Sequence, residues 1–115
     1  MAQGGDAGAE AAIALGLTRK PEAFALLRDR WNRERDPQFG AALLSGIGLT
    51  NLPEAIEFLI GVVRADARGS TDALQALASA RLTDDDRAHI HAAVESTGNA
   101  RLRAAWRLKG APQRP

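Results

Sequence analysis

The stretch Leu15-Gly16-Leu17-Thr18-Arg19-Lys20-Pro21-Glu22-Ala23 recurs as Ile47-Gly48-Leu49-Thr50-Asn51-Leu52-Pro53-Glu54-Ala55, with six of nine positions identical and a displacement of 32 residues. Self-similarity at a period of about 20–50 residues is the signature of a stacked repeat, so it decides the fold before any single helix is considered. The displacement carries into the flanks: Phe24 maps to Ile56, Leu27 to Leu59, Trp31 to Val63 and Ala12 to Leu44. A weaker third copy begins at Leu82-Thr83, where Asp84-Asp85-Asp86-Arg87-Ala88 stands in for Asn51-Leu52-Pro53-Glu54-Ala55 and Thr83 lies 33 residues after Thr50.

Each copy reads as a pair of helices. Phe24, Leu27, Arg28 and Trp31 lie at i, i+3, i+4, i+7, and Ile56, Leu59, Ile60 and Val63 repeat that spacing with every position apolar. Ile90, Ala93 and Val94 repeat it more weakly. This is helix periodicity, not strand alternation. Second helices run through Ala41, Leu44 and Ile47, through Leu74, Leu77 and Ala78, and through Leu102, Ala105 and Trp106. An additional first helix carries Ala12, Ile13 and Leu17.

The punctuation agrees. Asp36-Pro37 pairs a capping side chain with a proline at the first helical position, and Pro21 and Pro53 sit in first turns, where a missing N–H costs nothing. Thr83 with Asp86 resembles a capping box, Ser70 or Thr71 can cap the helix after Gly69, and Gly98-Asn99 breaks the chain before the last helix. Seven helices are predicted, at roughly 7–17, 20–34, 37–49, 53–65, 71–81, 84–96 and 99–108, in a single domain spanning 1–115 with flexible ends at about 1–6 and 110–115.

Helix pairs of this length with an Ala-Leu-rich second helix resemble the short HEAT-like repeats of bacteria, the type also found in phycobilisome lyases. The features that carry the likeness are Asp36-Pro37 before the second helix and Leu-x-x-x-Pro-Glu-Ala opening the first, over about residues 7–109. Tetratricopeptide repeats share the period but want tyrosine, of which this chain has none. The resemblance implies a right-handed α-solenoid (an α-α superhelix) of three helix pairs plus a leading half repeat. It also implies that the second helices line the concave side. In such a solenoid each pair buries its apolar stripe on its neighbours, and the end helices need polar cover. The last helix has it in Arg101, Arg103, Arg107 and Lys109, whereas the first has little beyond Asp6 and Glu10. Three outcomes are open to that Ala-rich first helix: disorder, pairing with a second copy as a homodimer, or continuation into a longer array.

Composition narrows function by exclusion. The chain has no cysteine, so it can hold no disulfide, thiolate nucleophile or cysteine zinc site. A net charge of +1 gives no global attraction to nucleic acid or an anionic membrane. No apolar run approaches the ~18 residues of a membrane span, and Met1 to Gly8 lacks a basic start followed by an apolar stretch. Cytoplasmic placement is the default expectation.

The chemistry-bearing residues point the same way. His89 and His91 are about 200° apart on a helix, so they do not share a metal. Asp84-Asp85-Asp86 follows a capping threonine and suits a helix N-terminus. No nucleophile elbow or phosphate-cradling glycine loop is present. No catalytic group, cofactor or metal is therefore expected. The expected surface is a stripe across adjacent second helices: Gln75, Ser79, Arg103 and Arg107, from aligning Ala73–Arg81 with Arg101–Lys109, together with Trp106. Trp31 is expected in the core, and Trp106, on a helix with no following repeat, at a partner. The leading expectation is a non-catalytic protein-interaction module or scaffold. Nucleic-acid binding through the basic last helix and a lyase accessory role are the alternatives.

Overall fold

The computed structural model describes residues 4–66 and 68–109, with side chains from Gly8 to Arg107 except Ala67. Among them are seven helices and no strand: α1 Gly4–Leu17, α2 Pro21–Arg33, α3 Pro37–Thr50, α4 Pro53–Ala65, α5 Ser70–Ala78, α6 Asp84–Thr97 and α7 Ala100–Lys109. The helices form two rows. In one, α1, α3, α5 and α7 touch in that order; in the other, α4 touches α6. Edge-to-face aromatic contacts join α2 to α4, Phe24 and Trp31 each meeting Phe58 at 6.0 and 5.8 Å. The body measures 45 × 26 × 23 Å. The expected flexible ends fall largely outside the described residues. Within them, α1 starts three residues before the predicted Ala7, through the poor helix formers Gly4 and Gly5.

The core runs between the rows through Leu27, Leu44, Ile47, Leu59, Val63, Leu74, Leu77, Ile90 and Leu102. Two crossings in the α1-α3-α5 row depend on missing side chains. A Cβ on Gly46 would lie 2.5 Å from the Ala12 carbonyl oxygen, and one on Gly16 would run into the Gly46 carbonyl. A Cβ on Gly48 would lie 3.0 Å from the Ala76 carbonyl oxygen. The glycines of the repeated motif are thus the places where helix backbones meet.

The expected caps form in most places. Asp36 accepts from the Gln38 N–H at 3.0 Å, and Thr83 and Asp86 make the reciprocal capping box. Asn99 caps α7, its Oδ1 accepting from the Arg101 N–H at 2.8 Å. One expectation is corrected. The N-cap of α5 is Gly69, at φ 84°, with no side-chain cap, and Ser70 is buried with its hydroxyl 3.3 Å from the Val62 carbonyl.

The third copy is also out of the expected phase. Thr18 and Thr50 end their helices alike, each donating to a carbonyl three residues back at 2.7 Å, and Arg19 and Asn51 follow in the left-handed conformation. Thr83 instead starts a helix. The structural equivalent of Pro53 is Asp84, a step of 31 that brings Leu59, Val62 and Val63 onto Ile90, Ala93 and Val94, all buried.

Three contacts across the repeats lock the stack. Asn51 Oδ1 accepts from the Arg81 N–H at 2.9 Å, Asn99 Nδ2 donates to Asp66 Oδ1 at 2.8 Å, and Arg68 donates to the Glu34 and Trp31 carbonyls at 2.9 and 3.1 Å. The first explains why α5 stops at Ala78 and not at the predicted Arg81. The Arg81 N–H is held by Asn51, so it does not close another helical turn. Arg68 also stacks 4.0 Å above the Trp31 ring, so one guanidinium caps the end of α2 and covers its tryptophan. Lysine cannot reproduce the planar fork. Arg68→Lys is expected to cost about 1–2 kcal/mol by urea unfolding; an unchanged midpoint would mean these bonds contribute nothing.

Candidate binding surface

The burial pattern of the α1-α3-α5-α7 row fixes which side chains point away from the core. Ala73, Gln75 and Leu77 match Leu43, Ser45 and Ile47 at a step of 30, in the order buried, exposed, buried. Between α3 and α5 lies a groove of about 240 Å³ lined by Ser45, Gly48, Leu49, Gln75, Ala76 and Ser79. Gly48 and Ala76 form its floor because their contact draws the two helices together. The Ser79 hydroxyl is turned to the Gln75 carbonyl at 3.3 Å. The Gln75 amide and the Ser45 hydroxyl have no hydrogen-bond partner among the described residues.

The five expected site residues do not come together as one stripe. Gln75 and Ser79 share the groove. Carrying the burial pattern into α7 gives a step of 29, one more than the sequence alignment used, and places Ala104 where Arg103 was expected. Arg103 takes the position of Leu74 and turns to α6, its Nε 3.2 Å from Glu95 Oε2, although that N–H is not aimed well enough to count as a hydrogen bond. Trp106, expected to meet a partner, is 2% exposed and belongs to the core. The physical reason is the same one-residue slip: Trp106 aligns with the buried Leu77, not with Ala78. Arg107 is exposed on α7, apart from the groove. Ser45 and Leu49 were missed. The signal for Ser45 was present, since it precedes Gln75 by the same step that carries Leu44 onto Leu74.

A second concavity lies between α2 and α4. Trp31, Glu57, Phe58, Gly61, Val62, Ala65 and Arg68 line about 440 Å³ of mainly apolar surface. Gly61 sits mid-helix, and a Cβ there would meet nothing within 4 Å. Its helix-weakening cost therefore has no packing reason inside the chain, unlike that of Gly46. Gly61→Ala is expected to raise stability by about 1 kcal/mol, read as a higher unfolding midpoint. A loss would show that the glycine serves the isolated fold.

Neither concavity assembles a reactive pair. The α3–α5 groove carries only hydroxyl, amide and apolar groups, which can exchange hydrogen bonds with a ligand but not protons at neutral pH. His89 and His91 are exposed on α6, and among the described residues no three His, Asp or Glu lie where they could hold a metal ion. Glu34 has a shifted equilibrium. The Asp36 N–H, then the Arg30 guanidinium at 2.9 Å, hold it below the ordinary glutamate value. A depressed value favours the folded state above the ordinary pKa, and that contribution is lost as pH falls through the lower, folded one. Glu34 therefore secures the α2–α3 turn and has no part in the groove. No family model, curated protein or solved structure matches this chain.

Proposed function

We propose that the chain is a non-catalytic protein-interaction module, a right-handed HEAT-like solenoid that binds an extended peptide segment along the α3–α5 groove. The observation that carries this reading is the Gln75 amide, exposed above the groove and without a hydrogen-bond partner among the described residues. A primary amide offers a donor and an acceptor together, the complement of one peptide unit. Ser45 adds a hydroxyl within the same groove, and Leu49 adds an apolar wall. The partner is a protein with an accessible unfolded segment, met inside the cell.

A nucleic-acid role is less well supported. Arg103 is engaged by Glu95, which leaves Arg101 and Arg107 as the arginines of α7 without an acidic partner among the described residues. Phosphate binding builds its affinity from many such cations.

A random peptide phage library selected on the immobilised protein tests the reading. Selected peptides should bind Gln75→Ala about tenfold more weakly, the loss of one or two hydrogen bonds. Ser79→Arg, which fills the groove, should abolish binding while circular dichroism stays unchanged. Peptides that bind both variants as well as the parent would place the site elsewhere, and a failed selection would remove the peptide reading.

A further inference from the structure

The two ends of the α1-α3-α5-α7 row are complementary. Helix α1 packs on α2 and α3, and α7 packs on α5 and α6, so among the described helices each leaves one side without a packed neighbour. On α1 that side shows Glu10, Ala14 and Leu17 at i, i+4, i+7, all exposed, and Leu17 is 56% exposed despite being a large apolar residue. Ala9, Glu10, Ile13, Ala14 and Leu17 together line a shallow apolar patch. On α7 the exposed residues Ala100, Ala104 and Arg107 recur at the same i, i+4, i+7 spacing. The α1 sequence holds only acids, Asp6 and Glu10, and the α7 sequence only bases, Arg101, Arg103, Arg107 and Lys109.

We propose that these ends dock on each other between copies, α1 of one molecule along α7 of the next, so that the row continues from chain to chain. Three observations favour a second copy of this chain as the occupant. The charges of the two end helices are opposite, acids on α1 and bases on α7, which favours encounter of one end with the other. Each strip has alanine at its centre, and the row already joins its helices through small residues, Gly16 with Gly46 and Gly48 with Ala76. The exposed Leu17 and the half-buried Ile13 gain cover that the other described residues do not give them. An α1–α1 pairing would instead set two helices against each other that carry acids and no base. The contact is head-to-tail, so one copy presents two different surfaces and the assembly grows without a fixed end. This inference concerns the ends of the row and does not depend on the peptide groove.

Light scattering after size-exclusion chromatography tests it. The mass should rise above 12.2 kDa with concentration at low salt, and fall back towards the monomer at high salt. Leu17→Asp blocks one end and Arg107→Glu the other, and each variant alone should be monomeric. An equimolar mixture should form a 1:1 dimer, because each contributes the surface the other lacks. Ala14→Arg replaces Leu17→Asp if the latter loses its helical circular dichroism. A parent chain that stays monomeric at all concentrations overturns the proposal. So does self-association of Arg107→Glu alone, which would indicate an α1–α1 dimer.

Discussion

Gly46→Val is expected to cost about 3 kcal/mol or more. The added Cβ would lie 2.5 Å from the Ala12 carbonyl oxygen and 3.1 Å from its carbon. Both are helix backbone, so no side-chain rotation relieves the overlap, and α1 must move off α3 as a unit. That displacement uncovers Ala12, Leu27 and Leu43 together. With domain stabilities of about 5–15 kcal/mol, the variant loses a large share of its margin. Urea unfolding should show the shifted midpoint, and hydrogen exchange should show the loss of protection first in α1. A parental midpoint would mean that the α1–α3 crossing is not as close as its glycines require.

Trp106 should behave as a core residue with a dispensable N–H. Trp106→Ala is expected to cost about 3–5 kcal/mol, as for other buried aromatics. Trp106→Phe should cost no more than about 1 kcal/mol. The indole Nε1 is buried without a hydrogen-bond partner among the described residues, so removing it also removes an unmet donor. Thermal unfolding of the two variants checks both figures. Had the tryptophan served as a surface contact, its alanine variant would keep parental stability; had the N–H been bonded in the core, phenylalanine would cost nearly as much as alanine.

The helices were legible because their signals are local. Apolar residues at i, i+3, i+4 and i+7 and prolines at first helical positions set α2, α3 and α4 to within a residue at each end. The end of α5 was not, because it is set by Asn51, a side chain 30 residues away. The locks made by Arg68 and Asp66 were hidden for the same reason: nothing in either residue's neighbourhood announces a carbonyl or an amide in the adjacent repeat. Part of the proposed groove follows from the repeat. Gln75 and Ser79 lie where the repeat places an outward position. Arg103 and Trp106 were misplaced by a single residue of register, and one residue turns a helical side chain by about 100°. Identical residues aligned Thr83 with Thr50, whereas burial aligns Asp84 with Pro53. In a weak repeat the buried positions carry the register better than the conserved-looking turn.

The linear order of the α1-α3-α5-α7 row is the premise of both proposals, and distances between spin labels test it most directly. The chain has no cysteine, so pairs can be introduced cleanly at exposed positions of that row: Ala14, Ser45 and Ala104. Packed helices lie about 8–10 Å apart. Labels at 45 and 104, two helices apart, should then give roughly 20 Å, and labels at 14 and 104, three apart, roughly 30 Å, with labelled protein diluted in unlabelled to isolate the distance within one chain. A 14–104 distance clearly longer than 45–104 is the predicted result. A 14–104 distance equal to or shorter than 45–104 would mean that α1 folds back towards α7 in a closed bundle, and the stacked-repeat account would be wrong.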